Sequence, residues 1–93
     1  MRREILITKK ALKKLKHYSE DITQFLFTEA MSLGEKPKRG KQLRGNLRMY
    51  RSLRATHNGV EYRIIYSLSK DTVKIHYIDT RENIYRNIER KLH

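Results

Sequence analysis

Apolar residues change their spacing along the chain, and each spacing predicts a different element. Residues 3–7 contain a short, β-branched apolar run that predicts a first strand. Two helical spacings follow, with Thr8 and Ser19 placed to cap the helices. Their apolar positions are Ala11, Leu12, Leu15 and Tyr18 in the first helix, and Ile22, Phe25, Leu26, Ala30 and Leu33 in the second. We therefore expect a helical hairpin, ended by Gly34 in a left-handed cap.

Residues 47–79 instead alternate between apolar and polar side chains with period two, which is typical of half-buried strands. The pair Asn58-Gly59 is a two-residue hairpin signal, because both central positions of that turn need positive φ. Residues 69–71 predict a second turn. Three antiparallel strands are therefore expected in this region.

A basic connector and a last helix complete the pattern. Residues 35–46 hold the only proline and two of the four glycines, so we expect a loop there. After Asp79 or Thr80, helical spacing resumes at Ile84, Ile88 and Leu92. The predicted order is β-α-α-β-β-β-α, an α+β fold with a helical hairpin on one face of an antiparallel sheet and an open basic face opposite. We expect residues 1–93 to form a single domain.

The Asn58-Gly59 turn also predicts the pairing of the first two long strands. A two-residue loop places Arg54 directly across from Arg63, on the same face of the sheet. Like charges in that arrangement are destabilising, so the pair indicates an anion as a third party. The alternative is that these arginines simply occupy the solvent face of a two-layer fold.

Extending the register through residues 69–71 sorts the strand residues into two faces. It places Ile65 beside His76 and Ser67 beside Lys74. The predicted outer face collects Tyr50, Ser52, Arg54, Arg63, Lys74 and His76. The predicted core face collects Leu53, Ala55, Tyr62, Ile64, Tyr66, Leu68, Val73, Ile75 and Tyr77.

The charge balance indicates a polyanionic partner. Twenty-two Lys and Arg residues against ten Asp and Glu residues give a formal net charge of +12. We expect nucleic acid ahead of an anionic membrane surface or an acidic protein. The absence of cysteine excludes disulfides and thiolate chemistry and fits a cytoplasmic protein. No apolar run approaches the ~20 residues of a membrane span, and no metal-ligand spacing is present.

The last predicted helix adds a second candidate group. Arg81 and Tyr85 are four residues apart and therefore share one helix face. A guanidinium beside a phenol favours the ionised phenolate, which is a route to a general base without histidine or carboxylate.

With these residues in place, the chain resembles the RelE/ParE toxin superfamily of toxin–antitoxin systems over nearly its whole length. The resemblance depends on the order of the elements and on four short runs. These runs are Lys41-Gln42-Leu43-Arg44-Gly45-Asn46, Tyr50-Arg51-Ser52-Leu53-Arg54, Glu61-Tyr62-Arg63-Ile64-Ile65-Tyr66 and Asp79-Thr80-Arg81-Glu82-Asn83-Ile84-Tyr85. The resemblance implies a toxin that cleaves mRNA in the ribosomal decoding site, needs no metal or cofactor, and is neutralised by an acidic antitoxin.

The same resemblance implies roles for individual residues. Arg54, Arg63, Arg81 and Tyr85 match the catalytic positions that activate the ribose 2′-hydroxyl, stabilise the phosphorane and assist the leaving 5′-oxygen. The residues expected to grip mRNA or 16S rRNA are Lys41, Arg44, Arg48, Arg51, Lys74 and His76. The chain departs from the family pattern at Ser52, where a basic residue is common, and Arg48 or Arg51 is expected to compensate.

Two other functions fit parts of the sequence. The ParE branch of the superfamily has the same fold and poisons DNA gyrase without cutting RNA, but its members generally lack an ending like Arg81 and Tyr85. A nonenzymatic RNA-binding domain would also use a cationic face, yet the predicted core absorbs most of the tyrosines that could stack on bases.

Overall fold

The computed structural model describes residues 2–91, with side chains described through residue 86. Its elements are β1 (Glu4–Ile7), α1 (Lys9–His17), α2 (Glu20–Ser32), β2 (Lys41–Gln42), a 3₁₀ turn (Gly45–Leu47), β3 (Tyr50–His57), β4 (Val60–Leu68), β5 (Thr72–Thr80) and α3 (Arg81–Lys91). The α+β class and the predicted order of strands and helices are confirmed. The side chains of Ile88 and Leu92, predicted to continue the apolar stripe of α3, lie outside the described part.

The strands form one five-stranded sheet in the order β1-β5-β4-β3-β2. The pairs β2–β3, β3–β4 and β4–β5 are antiparallel, as the hairpin turns require. β1 joins the far edge parallel to the first half of β5, so the sheet is mixed. The helical hairpin of α1 and α2 is the connection that carries the chain from this edge towards the opposite one, where β2 lies.

Side-chain caps begin the first two helices at the predicted residues. The Thr8 hydroxyl accepts a hydrogen bond from the backbone N–H of Ala11 at 3.2 Å, and the Ser19 hydroxyl accepts one from Ile22 at 3.4 Å. Two acidic residues occupy the first turn of α2, where negative charge favours the helix dipole.

The left-handed cap predicted at Gly34 is wrong. The residue after α2, Leu33, keeps a right-handed conformation with φ −69° and ψ −17°, and Gly34 does not have positive φ. Glycine serves a different purpose here, because a Cβ atom would lie 2.9 Å from the carbonyl oxygen of Arg3. The Arg3 N–H donates to the Gly34 carbonyl at 2.8 Å. The glycine therefore lets the start of the chain pack against the end of α2.

The basic connector is more ordered than a loop, because it contains β2 and the 3₁₀ turn. Tyr66 of β4 anchors it: its hydroxyl donates to the Pro37 carbonyl at 2.7 Å and accepts from the Gly40 N–H at 2.9 Å. A Cβ atom on Gly40 would lie 2.8 Å from that hydroxyl oxygen. The two hydrogen bonds of the Tyr66 hydroxyl therefore position the next residue, Lys41, beside Ser52 of β3.

The predicted pairing of β3 and β4 is confirmed along its whole length. Arg54 lies across from Arg63, and the turn residues Asn58 and Gly59 have φ of 51° and 79°. A two-residue turn of this type forces the register, which is why the sequence sufficed.

The pairing of β4 with β5 follows the prediction only next to the turn, from Tyr66 to Leu68 of β4. Ser67 pairs with Lys74 as expected, but the register shifts by one residue between Ile65 and Tyr66. Ile65 therefore pairs with Tyr77, and the predicted neighbourhood of Ile65 and His76 is wrong. A β-bulge adds one unpaired residue to a strand, which reverses the facing of every residue beyond it.

Two apolar clusters lie on opposite faces of the sheet. The main core lies between the sheet and the helical hairpin and includes the predicted Leu53, Ile64 and Tyr66. Tyr77, predicted to lie in this core, instead packs on the other face with Ile65, Leu47, Tyr50 and Ile84 of α3. α3 therefore covers part of the outer face. Within residues 2–91, none of the helices combines the length and apolar character needed to cross a bilayer.

Candidate active site

The paired arginines of β3 and β4 line a hollow of about 320 Å³ on the sheet. Arg54 is exposed, whereas only 17% of the Arg63 side chain is accessible. The complete lining is Arg39, Lys41, Ser52, Leu53, Arg54 and Arg63. Four cationic side chains around one hollow make this surface a candidate anion site.

α3 brings the other two predicted residues to Arg63. The guanidinium carbon of Arg63 lies 5.9 Å from the centre of the Tyr85 ring, and that of Arg81 lies 5.5 Å from it. Both distances allow a cation–π interaction. Tyr85 remains 45% exposed, so its ring stays accessible beside the two guanidiniums. The other three predicted catalytic residues therefore lie around Arg63, with Arg54 on one side and Arg81 and Tyr85 on the other.

Glu61 belongs to the same site, although the sequence analysis did not select it. Its Oε2 atom accepts from Arg63 Nε at 2.9 Å and lies 2.8 Å from Arg63 Nη2. The same oxygen lies 3.6 Å from Nε of Arg81. The sequence did contain a signal for Glu61. It lies two residues before Arg63 on the same strand, and such residues share a face. Glu61 therefore gives Arg63 and Arg81 an anionic partner from the chain itself.

Near Ser52, where the chain departs from the family pattern, the cations are not the expected ones. Ser52 is buried, and its hydroxyl accepts from Arg63 Nη1 at 3.4 Å. The nearby cations come from Lys41 of β2 and from Arg39, which Glu29 holds through an ion pair of 2.8 Å.

Arg51, expected to compensate for Ser52, points elsewhere. It donates to the carbonyls of Gly40 at 2.9 Å and Lys38 at 3.3 Å. Its guanidinium therefore supports the connector and does not line the hollow.

The remaining predicted RNA-binding residues lie outside the arginine hollow. Arg44 and Arg48 are exposed around the 3₁₀ turn, and Arg48 borders a separate shallow hollow. Lys74 pairs with Ser67, which is four residues along β4 from Arg63, or roughly 13 Å at ~3.3 Å per residue.

The His76 ring lies beside Lys74, and contacts with neighbouring side chains restrict its orientation. Its Nε2 atom lies 2.7 Å from the Ser67 hydroxyl, and its ring meets Tyr50 edge-on at 5.1 Å. Burial, and then the charge of Lys74, lower the pKa of His76 below its ordinary value. The neutral imidazole is therefore the favoured form in the fold.

A second carboxylate, Asp79, fixes the start of α3. It accepts hydrogen bonds from the Tyr18 hydroxyl at 3.1 Å, the Thr80 N–H at 2.7 Å and the Asn83 amide at 3.2 Å. Lys14 of α1 adds an ion pair at 3.4 Å. Burial, and then the charge of Asp79 and its hydrogen bond, raise the pKa of Tyr18 above its ordinary value. By fixing the start of α3, this network positions Arg81 and Tyr85.

The donor set of the site suits an oxyanion rather than a metal ion. Among residues 2–86, whose side chains the structure describes, no three His, Asp or Glu side chains are grouped so that they could hold a metal. Guanidiniums match phosphate geometry through paired N–H donors, and a phenol beside them offers a group that can accept or donate a proton. The arrangement can therefore bind a phosphate and move a proton next to it.

Comparison with known proteins connects this chain to one family. Residues 5–89 match the family described as the ParE-like toxin of type II bacterial toxin–antitoxin systems. No curated protein matches the sequence.

Solved structures with the same fold come from related systems. The toxin–antitoxin complex RelBE2 from Mycobacterium tuberculosis is similar, with a TM-score of 0.77, 26% identity, and coverage of 87% of this chain and 100% of that one. A mutant of the toxin RelE from E. coli in the free state has a TM-score of 0.72 at 18% identity, covering both chains completely. The chromosomal ParDE system from P. aeruginosa gives 0.64 at 18% identity, covering 85% of this chain and 96% of that one.

Proposed function

The chain belongs to the ParE-like toxins of type II bacterial toxin–antitoxin systems, and we propose that within this family it acts as a ribosome-dependent mRNA endoribonuclease. The observation that supports this activity is the placement of Arg63 and Arg81 against the Tyr85 ring, at 5.9 and 5.5 Å from its centre. Cutting messages during translation inhibits protein synthesis, and it places the toxin in the cytoplasm.

The proposed reaction is an in-line attack within the RNA itself. The ribose 2′-oxygen forms a bond to the adjacent phosphorus while the bond from phosphorus to the 5′-oxygen breaks, which leaves a 2′,3′-cyclic phosphate and a 5′-hydroxyl. Tyr85, as the general base, accepts the proton of the 2′-hydroxyl, and a water molecule protonates the leaving 5′-oxygen. No metal or cofactor takes part in this scheme.

The arginines act on charge that grows during the reaction. Negative charge on the phosphate oxygens is largest in the phosphorane, so guanidiniums held in place stabilise that species more than the substrate. Arg63 is the most buried of the three, with 17% of its side chain accessible, and we assign it to the phosphorane. Arg81 assists the leaving 5′-oxygen, and exposed Arg54 holds the phosphate from across the β3–β4 pair.

RNA outside the scissile bond would follow the remaining cations. Lys41 borders the hollow directly, while Arg44, Arg48 and Lys74 are exposed farther from it. We propose that these side chains contact the backbones of mRNA and 16S rRNA, since phosphate contacts supply affinity without reading sequence. His76 and Arg51 play a smaller part, because both already hold neighbouring groups of the fold.

An acidic antitoxin is the expected protein partner. The formal net charge of +12 needs compensation in a tight complex, and an acidic helix or extended segment laid over the cationic face would supply it. Its affinity should weaken as salt rises, which titrations of the purified pair at several ionic strengths would measure.

The direct test is cleavage on programmed ribosomes. The toxin, freed of antitoxin, is mixed in excess with ribosomes holding a defined message, and fragments are mapped over time. We expect cuts within the decoding site that leave a 5′-hydroxyl. Lys70→Ala, an exposed change in the β4–β5 turn, is the matched control and should cut at the wild-type rate. Intact messages with the wild-type protein would contradict the proposal.

A second candidate function is inhibition of DNA gyrase, and the ParE-like family description favours it. The two activities differ in their effect on cells. Gyrase poisoning induces the DNA damage response and blocks supercoiling by purified gyrase, whereas message cleavage stalls translation first. Supercoiling assays beside the ribosome assay therefore separate the two functions.

A further inference from the structure

The Glu61 carboxylate occupies the donor edge of Arg63 that a phosphate would use. One oxygen, Oε2, lies 2.9 Å from Nε and 2.8 Å from Nη2 of Arg63. These two nitrogens form the side edge of the guanidinium, which is the edge that binds oxyanions through paired N–H donors. The third nitrogen, Nη1, contacts the Ser52 hydroxyl at 3.4 Å.

The same oxygen also connects two elements of the site. It lies 3.6 Å from Nε of Arg81, so that β4 and α3 meet at a single carboxylate atom. Together Glu61, Arg63 and Arg81 carry a formal charge of +1, whereas the two arginines alone carry +2. A phosphate that approaches Arg63 therefore meets a reduced charge and donors that are already engaged.

Glu61 is also accessible enough to be replaced by a ligand. Its side chain is 29% exposed, and it lies two residues from Arg63 on the same face of β4. A phosphate oxygen can take the place of Oε2 on the guanidinium without disturbing the main core, because that core lies on the other face of the sheet.

We propose that Glu61 is an internal counter-anion that holds the phosphate-binding edge of Arg63 until an RNA phosphate displaces it. The identity of the ligand rests on the proposed function, while the exchange of one anion for another does not. Glu61 thereby lowers the affinity of the free toxin for nucleic-acid backbone and makes binding depend on ligands that can outcompete a carboxylate. A residue that merely positioned Arg63 would have the opposite effect on affinity.

The test measures binding of an oligonucleotide that cannot be cut by 2′-hydroxyl attack. A fluorescent single-stranded oligodeoxynucleotide lacks the 2′-hydroxyl, and its anisotropy reports the Kd at salt concentrations from about 50 to 200 mM. The variants are Glu61→Gln, which removes the charge, and Glu61→Asp, which keeps the charge but shortens the side chain. Glu82→Gln is the matched control, since it removes the same charge from an exposed neighbouring position. Each variant is first checked by thermal melting.

We expect Glu61→Gln to tighten binding about five- to tenfold at low salt, with a log Kd against log salt dependence steeper by ~0.7 for one additional phosphate contact. Glu61→Asp should also tighten binding, though by less. Glu82→Gln should change the Kd by less than about twofold, because its charge acts through solvent. In an Arg63→Ala background, Glu61→Gln should lose most of its effect.

Two results would overturn the inference. Equal gains from Glu61→Gln and Glu82→Gln would mean that only the net charge matters. Weaker binding by Glu61→Gln would make Glu61 a positioning residue for Arg63. Neither result depends on cleavage, so a toxin that fails to cut messages on ribosomes could still show the predicted exchange, and the two proposals fail separately.

Discussion

Glu61 and Asp79 are carboxylates on neighbouring strands, and they differ in what surrounds them. Asp79 is 6% exposed and accepts three hydrogen bonds in addition to the ion pair with Lys14. The Glu61 side chain is 29% exposed and contacts two guanidiniums through one oxygen. The partners of Asp79 hold α1 and α3 to the sheet, whereas the partners of Glu61 are residues of the candidate active site.

The difference shows what a carboxylate does in a strongly cationic chain. Around Asp79 each contact joins parts of the fold, so the pairing stabilises the native state. Around Glu61 the guanidiniums retain N–H donors that Glu61 does not engage. Each guanidinium has five N–H groups, and Glu61 engages only two of those on Arg63. We therefore expect changes near Glu61 to act on RNA and changes near Asp79 to act on stability.

The largest expected effect is the loss of cleavage in Arg63→Ala. A guanidinium on the developing phosphorane charge typically supplies ~3–4 kcal/mol, so single-turnover cleavage on ribosomes should slow by ~10²–10³. The like-charge pair with Arg54 alone would predict a slightly more stable variant. Because Arg63 also pairs with Glu61 at 2.8 Å, we expect instead a loss of about 1 kcal/mol in the free energy of unfolding.

Urea denaturation of the same Arg63→Ala preparation separates the two effects. A variant that remains folded and still cuts at nearly the wild-type rate would remove Arg63 from the active site. A variant more stable than wild type would show that the Glu61 pair contributes nothing to folding.

The next largest effect is the loss of stability in Asp79→Ala. Removing the carboxylate leaves the Tyr18 hydroxyl and the Asn83 amide without their acceptor, so the free energy of unfolding should fall by about 2–3 kcal/mol. Asp71→Asn, an exposed change in the β4–β5 turn, is the control and should leave the urea midpoint unchanged. If Asp79→Ala unfolded at the wild-type midpoint, the contrast between the two carboxylates would disappear.

Most of the fold could be predicted from local rules. Period-two alternation, two capped helices and the Asn58-Gly59 turn determined the order of elements and the whole β3–β4 register. The bulge near His76 could not be predicted, because no turn residue or change of spacing marks it; it lies where Ile65 and Tyr77 pack beneath α3. The parallel place of β1 likewise depends on tertiary contacts.

The candidate site was predictable where residues share a strand or a helix face. Arg54, Arg63, Arg81 and Tyr85 were each selected, and the structure brings the other three around Arg63. Two contributions arise from chain segments far apart in sequence and were missed. Arg39 reaches the hollow because Tyr66 anchors the connector, and Arg81 meets Glu61 because Asp79 fixes α3.

A smaller effect on activity is expected from Arg54→Ala. Arg54 is exposed and lies across from Arg63, so the proposed reaction assigns it a contact with the phosphate from the solvent side of the hollow. We expect cleavage to fall about tenfold, equivalent to ~1.4 kcal/mol, with no loss of stability. The ratio of the Arg54→Ala and Arg63→Ala rates on programmed ribosomes measures the difference, and equal losses would show that both arginines bear on the same charge.

The smallest effect, Tyr18→Phe, tests whether Asp79 stabilises through a protonated phenol. At neutral pH the lost hydrogen bond should cost about 1 kcal/mol of unfolding free energy. Because burial and then Asp79 raise the pKa of Tyr18 above its ordinary value, the fold favours the protonated form. That stabilisation is complete below the unfolded pKa of ~10 and is lost as pH rises beyond it, once the unfolded chain releases the proton.

The difference between wild type and Tyr18→Phe, measured by urea denaturation, should therefore shrink above about pH 10. In an Asp79→Ala background the substitution should cost less, since the acceptor is already gone. A difference that stayed constant across this pH range would show that the Tyr18 hydroxyl stabilises the fold without titrating differently in its two states.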